Sequence, residues 1–182
     1  MAKSKREVLR RARKITLLLT DVDGVLTDGK IYLLSRSSGH ARELKAFNAH
    51  DGAGLRLAQF AGIRTGVITG RSSDAMTHRA RELKMDFVEQ DIFEKLPAYE
   101  RILKKAKVKD EEVCFVGDDI TDLPLFGRVG LAVAVPNGMP DVRRRAHYIT
   151  RLRGGEGAVR EVVELLLKAQ KKYDALLERF QF

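Results

Sequence analysis

The sequence lacks the cysteines that a disulfide framework requires. Of its 182 residues only Cys114 is a cysteine, and it lies within an apolar run at residues 113–116. Because there is no second cysteine to pair with, an intrachain disulfide is excluded. We interpret Cys114 as a buried, inert thiol.

Long apolar runs are also missing. The run after the basic N-terminal residues covers only residues 15–19, and no run approaches the roughly 20 apolar residues of a transmembrane helix. Residues 15–19 are likewise too few for the core of a signal peptide. We therefore expect a cytoplasmic protein without a membrane partner. No internal repeat or low-complexity tract is present.

Aromatic residues are absent from the most basic segment. Lys and Arg exceed Asp and Glu by 34 − 25 = 9, and residues 1–14 hold seven of these bases against one acid, Glu7. A basic arm can bind nucleic acid or anionic lipid, but side chains that stack on bases are missing here. We interpret residues 1–14 as a basic arm that forms a solvated helix, with a polyanion-binding arm as the alternative, and expect no nucleic-acid partner.

Short apolar runs alternate with segments of helical periodicity, the pattern of a parallel α/β sheet. The length and a hydrophobic content of 44% suit one compact domain over residues 1–182. Near-continuous apolar runs indicate strands covered on both faces by helices, so the predicted fold class is α/β and Rossmann-like. The predicted strands are residues 15–20, 64–68, 87–89, 112–116, 131–135 and 147–150; the predicted helices are residues 52–61, 72–84, 95–106, 121–126 and 158–169, followed by a charged tail.

Residues 30–47 interrupt this alternation. Two apolar segments, at residues 31–34 and 41–47, flank a centre rich in Ser and Gly, as expected of a β-hairpin. We predict a small protruding flap here.

The segments directly after three predicted strands are polar or Gly-rich, and two of them are rich in acids. They are Asp-Val-Asp-Gly-Val-Leu-Thr-Asp-Gly at residues 21–29, Thr-Gly-Arg at 69–71 and Gly-Asp-Asp-Ile-Thr-Asp at 117–122. Ligands of open parallel sheets bind outside the carboxyl ends of the strands. Carboxylates gathered at one edge repel one another, and a hard divalent cation offsets this repulsion, which makes Mg²⁺ the candidate. For any single Asp or Gly, a turn or a helix cap is the alternative.

This edge offers the groups that phosphoryl transfer requires. Asp21 can attack phosphorus, while Asp23 can protonate a leaving oxygen and later activate water. Thr69 can hydrogen-bond a phosphoryl oxygen, and Lys95, at the start of a predicted helix, can neutralise charge on the transferring group. The residues therefore predict a phosphatase, with an ordinary surface lysine as the alternative for Lys95.

The order and spacing of four motifs resemble the haloacid dehalogenase superfamily. These motifs are residues 21–29, Ile-Thr-Gly-Arg at 68–71, Lys95 and residues 117–122. Within this superfamily, the chain is similar to the 3-deoxy-D-manno-octulosonate 8-phosphate phosphatases in two further segments, residues 44–52 and 153–162. The whole likeness covers about residues 12–170. The resemblance implies a magnesium-dependent phosphatase of lipopolysaccharide sugar biosynthesis that works through an aspartyl phosphate.

The resemblance also implies roles for individual residues. Asp21 would be the nucleophile and Asp23 the acid/base, with Mg²⁺ held by Asp21, the backbone carbonyl of Asp23 and Asp118, supported by Asp119 and Asp122. Contacts to the sugar acid or its phosphate would come from Asp23, Asn48, Ala49, His50, Asp51, Gly52, Arg56, Gly70, Arg71, Arg79 and Lys95. The eight-residue spacing of Arg71 and Arg79 predicts that both lie on one face of the following helix.

Two positions bear on the substrate. The octulosonate phosphatase that we compare carries Arg where this chain has His50, whereas a related enzyme for nine-carbon keto acids carries Glu where this chain has Arg71. His50 therefore departs from the octulosonate pattern, and Arg71 agrees with it. A phosphatase for another sugar-acid phosphate stays open as an alternative. A non-catalytic nucleic-acid-binding module is a further alternative, against which the intact acidic set argues.

The spacing of the motifs also limits the size of any segment that could cover the site. Only 47 residues separate Asp21 from Thr69 and only 22 separate Lys95 from Asp118, which leaves no room for a separate cap domain. The resemblance implies a homotetramer in which the flaps pack together and a neighbouring subunit helps to close each site.

Overall fold

The centre of the protein is a six-stranded parallel sheet. The computed structural model describes residues 4–35 and 41–179, in which the strands are β1 (Leu17–Thr20), β2 (Tyr32–Ser35), β3 (Ala41–Leu44), β4 (Arg64–Ile68), β5 (Phe87–Glu89), β6 (Val113–Gly117), β7 (Leu131–Ala134) and β8 (Tyr148–Ile149). The sheet has the order β5-β4-β1-β6-β7-β8, while β2 and β3 form a separate antiparallel hairpin.

Helices cover both faces of this sheet. In the same part of the chain they are α1 (Lys5–Ala12), α2 (Ala49–Phe60), α3 (Asp74–Glu82), α4 (Lys95–Ala106), α5 (Leu123–Phe126), α6 (Pro140–Arg145), α7 (Ala158–Ala169) and α8 (Tyr173–Arg179). Single 3₁₀ turns span Asp110–Glu112 and Ile120–Asp122. None of these helices has the length and apolar character needed to span a bilayer.

Alternate residues of β1 face opposite helical layers. Leu18 packs in the core formed with α1, α2, α3 and α7, whereas Leu17 and Leu19 pack in the core formed with α4, α5 and α6. Successive strand side chains point to opposite faces, so an uninterrupted apolar strand needs cover on both sides. This arrangement confirms the predicted Rossmann-like α/β class. Cys114 is fully buried in β6, and burial raises the pKa of its thiol, as expected of an inert cysteine.

The predicted elements match best where the apolar pattern is uninterrupted. The bounds of β4, β5, α4 and α7 are as predicted, and the other predicted strands end within two residues of the observed ones. Helix starts differ because side-chain caps set them. Asn48 accepts a hydrogen bond from the His50 backbone N at 2.8 Å, so α2 begins three residues earlier than predicted. Ser73 caps α3 in the same way and delays its start.

The basic N-terminal segment forms a helix, as predicted, but this helix is not solvated all round. Val8 and Ala12 of α1 are buried against the core, and Arg11 Nη1 donates to the Gly130 carbonyl oxygen at 2.8 Å. The four-residue spacing of Val8 and Ala12 puts both on one helix face, which is the signal that our prediction missed. Helix α8 also forms where we predicted only a charged tail, and α6 was not predicted.

The predicted flap is confirmed as the hairpin of β2 and β3, although its centre at residues 36–40 lies outside the described residues. In the described chain, only this hairpin and α2 separate β1 from β4, and only a 3₁₀ turn separates α4 from β6. Neither connection holds a cap domain. The chain leaves β1 toward β4 on one side and returns to β6 on the other, and such a switch in strand order opens a crevice at the carboxyl edge.

Candidate active site

Three predicted site residues follow neighbouring strands at this crevice. Asp21 follows β1 at the centre, Thr69 follows β4, and Asp118 follows β6. The backbone N of Asp21 donates to the Val116 carbonyl oxygen at 2.9 Å, which fixes Asp21 beside the end of β6. The parallel register therefore gathers residues from distant parts of the sequence, as the motif positions predict.

Carboxylates from Asp21, Asp118 and Asp122 form the acidic cluster of the site. One oxygen from each lies within 4.8 Å of the others. Burial, followed by the charges of Asp21 and Asp122, raises the pKa of Asp118 to about 8. Burial also raises the pKa of Asp21 to about 6, against the opposing charge of Lys95. Such a cluster is unfavourable when fully ionised, and a cation would stabilise it.

Lys95 bridges two members of this cluster. Its Nζ lies 2.9 Å from Asp21 Oδ2 and 2.6 Å from Asp122 Oδ1, and its side chain is only 1% exposed. Burial on its own lowers the pKa of a lysine, but the charges of Asp122 and Asp21 hold the pKa of Lys95 above its ordinary value. Lys95 is therefore a buried ammonium, not a surface lysine.

Asp122 has a structural task in this arrangement. Its Oδ2 accepts hydrogen bonds from the backbone N of Asp118 at 2.8 Å and of Asp119 at 3.1 Å, while Oδ1 accepts from Lys95. Both oxygens are thus engaged. Asp119 caps the 3₁₀ turn by accepting from the Ile120 backbone N at 2.6 Å. Asp119 and Asp122 shape the loop that presents Asp118.

Asp118 differs from its neighbours because its Oδ1 is buried and has no hydrogen-bond partner among the residues that the structure describes. A buried carboxylate oxygen in this state is costly. Together with Asp21, it offers the hard oxygen ligands that Mg²⁺ prefers. The donor set therefore fits a magnesium ion between Asp21 and Asp118.

The side chain of Asp23 faces the flap. Lys45 Nζ forms an ion pair with Asp23 Oδ1, and Arg71 Nε lies 3.7 Å from Asp23 Oδ2. Lys45 also lies 3.6 Å from Glu43 Oε1, and Arg71 Nη2 pairs with the same carboxylate. Glu43 and Lys45 are functional candidates that our sequence analysis missed. Their signal was the two-residue spacing within the predicted hairpin arm at residues 41–47, since alternate residues of an extended segment share a face; in the structure β3 ends at Leu44, and Lys45 directly follows it.

Thr69 and Gly70 form the turn after β4. Thr69 is buried, and its Oγ1 accepts a hydrogen bond from the Arg71 backbone N at 3.5 Å. Arg71 lies in this loop before α3 begins at Asp74, whereas Arg79 lies inside α3. The predicted placement of Arg71 and Arg79 on one helix face is therefore wrong.

The segment at residues 48–52 begins α2 and joins it to the loop before α7. The side chain of Asn48 donates to the Gly155 carbonyl oxygen at 3.2 Å. Asp51 is buried and accepts from the backbone N of Arg160 at 2.8 Å and of Gly157 at 3.3 Å. This carboxylate holds the start of α7, while Ala49 and His50 are exposed.

The remaining predicted arginines occupy different places. Arg79 lies over the ring of Phe47, and its guanidinium packs where a Cβ of Gly52 would be. Arg56 pairs instead with Gln59 and stacks on Phe60, toward the C-terminal end of α2. Within one chain, the structure brings Arg71 to Asp23 but does not bring Arg56 to the acidic cluster.

Asn137 is a second residue that the sequence did not single out. Its side chain donates to the Gly24 carbonyl oxygen at 2.9 Å and accepts from the Gly154 backbone N at 2.8 Å. Gly24 has a φ of +89°, which favours glycine. Asn137 thus links the loop after β7 to the turn that follows Asp21 and Asp23.

Comparison with known proteins decides the family. The 3-deoxy-D-manno-octulosonate 8-phosphate phosphatase of Yersinia pestis is 42% identical over 168 residues, or 92% of this chain and 88% of that protein. A family profile described as haloacid dehalogenase-like hydrolase matches residues 88–162. This chain belongs to the haloacid dehalogenase-like hydrolase family. The predicted enzyme class, phosphoric monoester hydrolase, is confirmed with it.

Two further relatives extend this likeness among haloacid dehalogenase-like hydrolases. The phosphatase of the same name from Escherichia coli strain K12 is 44% identical over 168 residues, covering 92% of this chain and 87% of that protein. The crystal structure of the Moraxella catarrhalis phosphatase, described as a complex with magnesium ion, phosphate ion and KDO, has a TM-score of 0.91 and 40% identity. That likeness covers 98% of this chain and 100% of the other.

Proposed function

We propose that this chain hydrolyses 3-deoxy-D-manno-octulosonate 8-phosphate to the free sugar acid and phosphate, with Mg²⁺ and through an aspartyl phosphate on Asp21. The observation that carries the proposal is the setting of Asp21: a buried carboxylate at the end of the central strand, 2.9 Å from Lys95 and grouped with Asp118. The relatives from Y. pestis and E. coli, and the KDO complex of M. catarrhalis, support the choice of substrate.

The proposed Mg²⁺ ligands are Asp21, Asp118 and the backbone carbonyl of Asp23. The unpartnered Oδ1 of Asp118 supports this choice, since a hard cation would satisfy it. Asp122 is not a proposed ligand because backbone N–H groups and Lys95 already engage both of its oxygens. Bound Mg²⁺ would supply positive charge that offsets the negative charge of the phosphoryl oxygens.

In the first half of the reaction, a carboxylate oxygen of Asp21 attacks phosphorus and forms the acyl phosphate. The bond between phosphorus and the sugar oxygen breaks, and Asp23 donates a proton to that leaving oxygen. Lys95 keeps Asp21 in position and brings a buried positive charge to the phosphoryl site. Thr69, buried at the end of β4, is the proposed hydrogen-bond donor to a phosphoryl oxygen.

In the second half, Asp23 accepts a proton from water, and that water attacks the phosphorus of the aspartyl phosphate. The bond between phosphorus and Asp21 breaks, which restores the carboxylate and releases phosphate. The same side chain therefore serves first as acid and then as base, so Asp23 regains over one turnover the proton that it donated.

The sugar acid is proposed to lie between the acidic cluster and the flap. Arg71 is the best-placed predicted cation, because its guanidinium already lies beside Asp23 at the mouth of the site. Arg79 and Ala49, at the exposed start of α2, border a groove of about 490 Å³ lined also by Lys45 and Phe47. We propose this groove for the sugar chain, and we keep Asn48, His50, Asp51, Gly52 and Gly70 as proposed substrate contacts outside its lining.

We further propose a homotetramer in which a neighbouring subunit closes each site. The flap supports this assembly because it exposes a set of large apolar side chains, and such patches mark interaction surfaces; they are Ile31, Tyr32, Leu33, Leu34 and Leu44. Arg56, which lies away from the cluster of its own chain, is proposed to act across such an interface. Activity per protomer should fall when the enzyme is diluted until it dissociates, and full activity from a monomer defined by sedimentation would refute the assembly.

A panel of phosphate esters tests the substrate. Phosphate release should be magnesium-dependent, with the highest kcat/KM for 3-deoxy-D-manno-octulosonate 8-phosphate. A nine-carbon keto acid 9-phosphate is the informative competitor because His50 departs from the octulosonate pattern. A higher kcat/KM for the nine-carbon ester would overturn the octulosonate assignment while leaving the phosphatase chemistry intact.

A further inference from the structure

Four charged side chains connect the flap to the mouth of the site. We call Glu43, Lys45, Asp23 and Arg71 the flap ion network. Lys45 pairs with Asp23 and lies 3.6 Å from Glu43, while Arg71 pairs with Glu43 and lies 3.7 Å from Asp23. The charges alternate around a closed ring, so each cation contacts both carboxylates.

Glu43 is held firmly in this ring. Its side chain is 18% exposed, whereas the Arg71 side chain is 43% exposed. Burial opposes ionisation of Glu43, but a hydrogen bond with Ser73 and the charges of Lys45 and Arg71 hold its pKa below the ordinary value. Glu43 is therefore an anion, and Arg71 is the more exposed of its two cationic partners.

A guanidinium binds one carboxylate through its planar fork, and a second carboxylate must share or displace the first. Arg71 is the proposed contact for an anionic group of the sugar acid, yet the protein's own flap already supplies it with a carboxylate. Glu43 comes from β3, which belongs to a hairpin and not to the central sheet. It can leave Arg71 by a movement of that hairpin without disturbing β1, β4 or β6.

We propose that Glu43 competes with the substrate carboxylate for Arg71, so that sugar acids bind and leave by exchange with Glu43. This inference rests on the proposed function, since it needs a substrate with a carboxylate. The exchange weakens binding of the substrate and of the free sugar acid by the same factor. It thereby favours release of the product, and it leaves phosphate esters without a carboxylate unaffected.

The test compares wild type with Glu43→Gln, which keeps the shape of the side chain and removes its charge. The variant should lower KM for 3-deoxy-D-manno-octulosonate 8-phosphate about two- to fivefold, the range that a partly exposed ion pair supports. The Ki of free 3-deoxy-D-manno-octulosonate against p-nitrophenyl phosphate hydrolysis should fall by the same factor. KM for p-nitrophenyl phosphate should not change.

Glu100→Gln is the matched control, because Glu100 pairs with Arg128 on the surface and the variant makes the same change of charge away from the site. It should leave all three constants unchanged. An unchanged or raised KM and Ki for the sugar acid in Glu43→Gln would overturn the exchange, as would an equal change for p-nitrophenyl phosphate. If wild type hydrolyses p-nitrophenyl phosphate but not the sugar-acid ester, the proposed function fails and this inference falls with it.

Discussion

Replacing Lys95 with Met removes a buried cation from between two carboxylates. The ammonium lies 2.9 Å from Asp21 and 2.6 Å from Asp122, and Met keeps most of the apolar stem while deleting the charge. Removing one partner of a buried ion pair costs about 3–5 kcal/mol because the remaining charge is uncompensated. For a domain of this length, each kcal/mol lowers Tm by about 2–4 °C, so we expect Tm to fall by roughly 6–20 °C in metal-free buffer.

Urea unfolding followed by far-UV circular dichroism measures this loss, since the chain has no tryptophan for fluorescence. Lys14→Met is the matched control. Lys14 lies 3.5 Å from Glu111, with side chains 49% and 61% exposed, and such surface pairs contribute less than about 1 kcal/mol. A Lys95→Met protein as stable as the Lys14→Met protein would refute the argument that Lys95 compensates the buried carboxylates.

The pH dependence of this loss has a defined sign. The pKa of Asp21 is already raised to about 6 by burial, and removing Lys95 removes the charge that opposes this shift. A carboxyl group with a raised pKa binds its proton more tightly in the folded state, so the folded state loses stability as pH rises through that pKa. The deficit of Lys95→Met should therefore be larger at pH 8 than at pH 5.

Three further predictions concern the acid/base, the metal and the substrate. Asp23→Asn should lower kcat by about 10² to 10⁴, as expected for a lost general acid/base, and an unchanged kcat would remove Asp23 from that role. Burial and neighbouring charges raise the pKa of Asp118 to about 8, so the metal-free protein should lose stability between about pH 4 and 8. Because Mg²⁺ needs ionised ligands, Mg²⁺ at about 100 times its Kd should raise Tm by roughly 5–11 °C at pH 8 and by less at pH 6, and equal shifts would contradict the site. His50→Arg should keep or lower KM for the octulosonate ester, because a guanidinium is permanently charged and can bind a carboxylate bidentately; a raised KM would show that position 50 does not accept the arginine of the octulosonate pattern.

The sheet and the positions of Asp21, Thr69 and Asp118 could be predicted because each rests on a local signal. Apolar runs mark the strands, and the residue after each run lies at the carboxyl edge whatever the strand order. The buried bridge of Lys95 could not be predicted in the same way. It depends on a partner, Asp122, that lies 27 residues away and reaches Lys95 only after α4 and β6 pack.

The contacts made by the flap could not be predicted from the sequence for a related reason. Glu43 lies in β3 and Lys45 directly follows it; their two-residue spacing favours one face, but no local pattern predicts which face meets the site. Likewise, the sequence singled out Asp51 as a substrate contact but did not predict that its buried carboxylate accepts hydrogen bonds at the start of α7, more than 100 residues away. Long-range packing decided these positions.

The central claim, a covalent phosphoryl transfer to Asp21, can be tested by trapping the intermediate. Wild-type enzyme is mixed with 3-deoxy-D-manno-octulosonate 8-phosphate and Mg²⁺, quenched in acid during turnover, and reduced with borohydride, which converts an acyl phosphate to the alcohol. Mass spectrometry of the peptide that contains Asp21 should show homoserine at that position, with none in Asp21→Asn, which should also release no phosphate. Turnover without a modified Asp21, or substantial phosphate release by Asp21→Asn, would contradict the mechanism.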